Sequence, residues 1–134
     1  MTTLLLHNAT VIDGTGADPK PRTSVLVENG LIQKVGPADN PAPPSSVRVI
    51  DLDGHTLMPG LTYAHVHFGQ VGINAVANRS PEDNLTTYVI QVVENIELAL
   101  GEGFTTVRDA GGLDPAFTRA VEQGLIKGPR VLPS

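Results

Sequence analysis

Along the first 58 residues the apolar positions fall in short runs broken by turn-forming residues, the pattern of strands and not of helices. Six short strands are predicted, at residues 4–6, 10–12, 25–28, 31–35, 47–52 and 55–58. Asn29-Gly30 separates Ser24-Val25-Leu26-Val27 from Leu31-Ile32-Gln33-Lys34-Val35. Both central residues of a type I′ turn need positive φ, which Asn and Gly tolerate, so a hairpin is expected there. Asp53-Gly54 repeats the device between Val49-Ile50-Asp51-Leu52 and His55-Thr56-Leu57. Residues 37–46, with four prolines, read as an exposed loop. Residues 1–58 are therefore expected to be a small all-β unit.

After Pro59-Gly60 the period changes. Residues 61–68 read as a strand. Ser80-Pro81-Glu82-Asp83 then offers an N-cap, a proline at the first helical position and an acid three residues after the cap, so a helix is expected to start there. Leu85, Tyr88, Val89, Val92, Val93, Ile96 and Leu100 recur at three- and four-residue intervals and give one apolar face, with Gly101 or Gly103 as the stop. Residues 104–109 form a second strand. Asp114-Pro115 caps a shorter helix with Phe117, Ala120 and Val121 inward, Gly124 ends it, and Pro129-Arg130-Val131-Leu132 begins a third strand. Alternating strand and helix define an α/β class with parallel strands and right-handed crossovers. Two domains are expected, 1–58 and 59–134.

Composition removes several function classes. The 134 residues carry a formal net charge of −5, and no stretch gathers Lys or Arg. The electrostatic footprint of a phosphate-backbone binder is missing, so no nucleic-acid partner is expected. Without cysteine there is no disulfide framework, thiolate zinc site or cysteine nucleophile, and any metal must be held by His, Asp, Glu or modified side chains. MTTLLLHNATVIDG has no positive charge ahead of its leucines and no apolar run of signal length. No membrane span and a cytoplasmic location are expected.

The sharpest local chemistry is Tyr63-Ala64-His65-Val66-His67. Side chains two apart on a strand share a face, so His65 and His67 are expected to project together with Tyr63, with Ala64, Val66 and Phe68 opposite. Two adjacent imidazoles can chelate one cation. By spacing alone they can also be incidental, since zinc sites take at least three protein ligands. Arg108 and Asp109 alternate and so face opposite ways; a buried or loop-anchoring ion pair is the plainer role for them, with Asp109 also able to line a pocket mouth. Gly111-Gly112 precedes a helix but lacks the full Gly-x-Gly-x-x-Gly spacing, and reads as a tight βα loop. His7 and His55 read as surface or turn residues.

The stretch Val49-Ile50-Asp51-Leu52-Asp53-Gly54-His55-Thr56-Leu57-Met58-Pro59-Gly60-Leu61, running into His65-Val66-His67, resembles the amidohydrolase superfamily, the metal-dependent hydrolases that approach their first barrel strand in this way. Upstream, Asn8-Ala9-Thr10-Val11-Ile12-Asp13-Gly14-Thr15-Gly16 and the Asn29-Gly30-Leu31-Ile32 hairpin resemble the family's small β-sandwich. Downstream, Gly103-Phe104-Thr105-Thr106-Val107-Arg108-Asp109-Ala110-Gly111-Gly112 resembles its second barrel strand. The three motifs stand in the family's order and cover nearly the whole chain.

The resemblance implies a (β/α)8 TIM barrel with a metal centre at the carboxyl ends of its strands, here an incomplete barrel preceded by a small β-sandwich subdomain. His65 and His67 match the first two metal ligands. The family's other ligands are a carboxylated lysine or glutamate on the fourth strand, histidines on the fifth and sixth, and an aspartate on the eighth that also acts as base, so no catalytic base is expected within residues 1–134. The implied cofactor is a divalent metal, zinc foremost, as one or two ions. The implied reaction is hydrolysis of an amide, peptide-like or cyclic amide C–N bond by a metal-activated water. The family usually has an aspartate two residues before the first metal histidine, where this sequence has Tyr63, which weakens the expected hold on metal.

A complete barrel takes about 250 residues, and residues 60–134 hold two βα units and the opening of a third strand. The chain thus reads as the amino-terminal third of an enzyme, inactive alone, whose remaining barrel belongs to a further carboxy-terminal segment. The other reading is a non-catalytic truncated domain stabilised by self-association or by a partner chain, which would bury an open sheet edge. Val107-Arg108-Asp109-Ala110-Gly111-Gly112 and Asp13-Gly14-Thr15-Gly16 point, within the family, to dipeptides or N-acyl amino acids as substrates.

Overall fold

The computed structural model describes residues 3–38, 47–71 and 85–134. The helix start expected at Ser80-Pro81-Glu82-Asp83 and most of the proline-rich loop lie outside the described residues. The chain divides into two compact units, Met1–Pro59 and Gly60–Ser134.

In the first unit, β1 (Thr3–Val11), β2 (Lys20–Glu28), β3 (Leu31–Pro37), β4 (Arg48–Asp51) and β5 (Thr56–Leu57) belong to one five-stranded sheet ordered β3-β2-β1-β4, with β5 also on β1. Among the described residues all five strands are hydrogen-bonded into this one sheet. The reason lies in β1, which joins two runs expected as separate strands and has pairing irregularities between Leu6 and Ala9 and between Ala9 and Val11. Asn8 sits at φ 54, and such a bulge bends the strand. Its first half pairs in parallel with β4 and its second half with β5.

The β2–β3 hairpin turns on Asn29 at φ 51 and Gly30 at φ 80, the left-handed pair that a type I′ turn demands. Asp53-Gly54, with φ 45 and 78, makes no hairpin. Both strands it joins run parallel to β1, so the turn is a jog that follows the bend at Asn8, and the Gly54 N–H donates to the Asn8 carbonyl at 2.7 Å. Ala9, Val11 and Val25 form the core of this unit, with Leu6, Val27, Leu52 and Leu57 packed around them.

In the second unit, β6 (Leu61–Val66), α1 (Leu85–Gly101), β7 (Phe104–Asp109), α2 (Pro115–Glu122) and β8 (Arg130–Leu132) alternate, and the strands form a parallel sheet ordered β6-β7-β8. A central strand buried by helices should be apolar on its helix side, and Val107 is fully buried there. Val92 and Ile96 of α1, Phe68, Leu113 and Val131 complete the cluster. The apolar stripe of α1 buries less than its sequence suggests. Val92 and Ile96 are buried and Tyr88 and Ala99 pack beside them, whereas Leu85, Val89 and Leu100 are exposed. A cylinder lying on a flat sheet brings only its central rows into contact, so the stripe's flanks stay in solvent.

The start of α2 follows its sequence signal: Asp114 Oδ1 accepts the Ala116 N–H at 2.8 Å, and Pro115 begins the helix. Phe117 and Val121 pack on the core, and Thr118, absent from the expected inward set, is buried with them. No helix among the described residues is long and apolar enough to cross a membrane.

Candidate functional site

Parallel sheets concentrate chemistry at the carboxyl ends of their strands, where loops leave the sheet. His65 is the last but one residue of β6, and His67 opens the turn after it, closed by the Gln70 N–H on the His67 carbonyl at 3.1 Å. The structure brings the two rings together, with 3.0 Å between the Nε2 atoms and ring planes at 80°. His65 is exposed and His67 half-buried, while Val66 and Phe68 turn the other way into the core.

Tyr63 does not join them. β6 pairs Tyr63 with Val107 and Val66 with Asp109, so three residues of β6 oppose two of β7. Val107 and Asp109 share a face, which puts Tyr63 on the same side as Val66 and opposite to the histidines. Its ring meets Phe104 at 5.1 Å between centroids. The bulge between Tyr63 and Val66 is what a simple alternation misses.

The turn that carries His67 is locked to the loop after β7. His67 Nδ1 donates to the Gly111 carbonyl at 2.9 Å. A carbonyl only accepts, so Nδ1 holds the proton and the neutral ring keeps its lone pair on Nε2. Two Nε2 lone pairs do not face each other at 3.0 Å without a proton or a cation between them. Nitrogens bound to one tetrahedral zinc at about 2.0–2.1 Å stand roughly 3.3 Å apart, close to the spacing found here.

Two further groups complete this corner. Gly69 approaches the Gly112 backbone so closely that a Cβ would collide with the Gly112 carbonyl, which explains a glycine at that position. Asp109, 1% exposed, accepts the Phe68 N–H at 2.8 Å and the Gly111 N–H at 2.9 Å. It anchors a loop through backbone amides; among the described residues no ion pair joins it to Arg108, whose side chain is exposed. Nothing in the spacing announced the Gly111 carbonyl, because a backbone acceptor has no residue signature.

A groove of 460 Å³ runs along β6, the end strand of its sheet, lined from one face by Tyr63 and Phe68, from the other by His65 and His67, and by Asn95 and Leu98 of α1. Among the described residues no group of three His, Asp or Glu side chains converges as a metal cage. His7 Nδ1 lies 3.1 Å from Ser24 Oγ, and His55 Nδ1 donates to the Leu52 carbonyl at 2.6 Å. Both belong to the β unit's own hydrogen bonding.

No family model matches the chain. A dihydroorotase of Pediococcus pentosaceus is 35% identical over 112 residues, 84% of this chain and 22% of that enzyme. The crystal structure of an amidohydrolase superimposes with a TM-score of 0.83 at 36% identity, over 99% of this chain and 31% of its own. A prolidase complexed with N-methylphosphonate-L-proline does so with a TM-score of 0.85 at 33% identity, over 99% of this chain and 32% of its own. With the His-x-His strand end in place, these likenesses define the class: the chain belongs to the amidohydrolase superfamily. It spans under a quarter of that dihydroorotase and about a third of those solved structures.

Proposed function

We propose that His65 and His67 are two ligands of a divalent metal, zinc foremost, in an amidohydrolase that cleaves a C–N bond of an amide or dipeptide-like substrate. The observation that carries this reading is the 3.0 Å approach of the two Nε2 atoms with the His67 proton held on the Gly111 carbonyl. The donor set fits the ion: two imidazole nitrogens, one with its tautomer fixed by an outer hydrogen bond, at the end of a parallel strand. When bound, a zinc-type ion supplies Lewis acidity, lowering the pKa of water toward about 7 and polarising a carbonyl. The chain's own residues aim the two Nε2 atoms at one point and hold a proton at His67 Nδ1. In this reading residues 59–134 supply the first two βα units and the opening third strand of a (β/α)8 barrel, and residues 1–58 part of the small β domain. The prolidase likeness supports a dipeptide-like substrate. The expected setting is the cytoplasm, with the rest of the barrel pairing along the outer edges of β6 and β8.

Zinc titration of the 134-residue chain followed by imidazole ¹⁵N shifts tests the ligand pair. His65 and His67 should shift together, with weak affinity, and His65→Ala with His67→Ala should abolish the response. Unmoved His65 and His67 signals at millimolar zinc would sink the assignment.

A second reading, a non-catalytic domain held in an assembly, draws on the edge strand β3, where Leu31 and Ile32 are 66% and 68% exposed. Sedimentation velocity over a hundredfold concentration range separates the two. Association abolished by Leu31→Lys with Ile32→Lys favours the second, and a monomer throughout removes it.

A further inference from the structure

We propose that Asp109 is a positioning residue that fixes the tautomer and orientation of His67 through the Gly111 loop, an inference that rests on reading His65 and His67 as a ligand pair. Asp109 ends β7 on its core side, 1% exposed. Oδ2 accepts the N–H of Phe68, the residue directly after His67, at 2.8 Å. Oδ1 accepts the N–H of Gly111 at 2.9 Å, and the carbonyl of that same residue accepts the His67 Nδ1 proton at 2.9 Å. One carboxylate thus grips the backbone on the far side of His67 and the residue that receives the ring's proton.

The ring of hydrogen bonds has a chemical consequence. Gly111 sits at φ 137, a conformation that L side chains rarely adopt and that a glycine loop leaves easily. Held there by Asp109, its carbonyl keeps the proton on Nδ1 and the lone pair of His67 Nε2 toward His65. Released, the imidazole is free to take its other tautomer, in which Nε2 carries a proton and faces the cation position as a donor. A carboxylate that only satisfied buried amides would serve any two of them. Here one amide belongs to the residue directly after His67 and the other to the residue whose carbonyl receives the ring's proton.

The test uses the 134-residue chain and a readout that needs no metal. Long-range ¹H–¹⁵N spectra should show wild-type His67 as the Nδ1–H tautomer. In Asp109→Asn the amide accepts through one atom and sets an NH₂ against a backbone N–H, so the Nδ1–H preference should be lost. Zinc affinity should fall by about tenfold, at the low end of the 10–100-fold range for such outer partners. A folded Asp109→Asn protein with unchanged His67 tautomer and zinc affinity overturns the proposal. If that variant does not fold, amide exchange in the wild type decides. Protected Phe68 and Gly111 amides with an observable His67 Nδ1 proton support the role, and an unprotected Gly111 amide or an Nε2–H tautomer overturns it. Loss of zinc binding by the wild type would strike the ligand reading alone, since the tautomer is read without metal.

Discussion

Asp13 shows how short-range chemistry sets one residue's behaviour. Its Oδ2 lies 2.7 Å from Lys20 Nζ, while Oδ1 accepts the Thr15 hydroxyl at 2.6 Å and the Thr15 N–H at 3.1 Å. The Lys20 bond first, and then the Thr15 bonds, hold the carboxyl well below the usual carboxylate range. A depressed folded value means that any stabilisation is present above the unfolded pKa, about 3.9, and is lost only as the pH falls below it. The pair is exposed, so the stability involved is small. Carboxyl ¹³C titration should find Asp13 still ionised at pH 3, and Lys20→Met should move its midpoint up toward the ordinary range; an unchanged midpoint would remove Lys20 as the main cause. The same scale explains what the sequence showed of the site. The histidine spacing was visible because two side chains carry it. The fixed tautomer was not, because it depends on the Gly111 carbonyl and on a buried Asp109 whose partners are backbone amides.

Secondary structure was most legible where a side-chain device acts locally. The Asn29-Gly30 hairpin, the Asp114-Pro115 helix start and the β7 boundaries all follow from residues within a turn of the feature. Legibility failed where a neighbouring strand decides. Asp53-Gly54 has hairpin chemistry, yet β1 holds the strands on either side of it in parallel, and the bulge before Val66 turns Tyr63 away from His65. On α1 the sheet chooses which apolar rows are buried. Ile96, fully buried in the cluster that also holds Val107 and Val131, should cost about 2–5 kcal/mol when cut to alanine, because transfer and cavity terms add. Leu98, two residues on and 61% exposed, should cost under about 0.5 kcal/mol. Urea midpoints of the two variants check this. Equal losses would mean that α1 lies on the sheet by a different face.

At the scale of the whole chain, the question is what two well-placed imidazoles can do alone. His65 is exposed, and the groove beside it is open to water, so an ion held there would keep most of its hydration. Amide hydrolysis needs donors fixed at the developing oxyanion, a positioned base and a site that excludes bulk water, and electrostatic preorganisation supplies the largest share of most enzymes' rate advantage. In the family that this chain resembles, the base and the remaining ligands come from later barrel strands. We therefore expect the 134 residues alone, supplied with zinc, cobalt or manganese, to hydrolyse dipeptides, N-acyl amino acids and cyclic amides no faster than the metal in buffer. Adding a polypeptide that carries the later strands should restore turnover if those strands pair with β6 and β8. The comparison is with the His65→Ala, His67→Ala double variant under the same metal. Turnover by the isolated chain that the double variant loses would mean that an assembly of this chain completes the site, with ligands or a base reaching the histidines from a second copy.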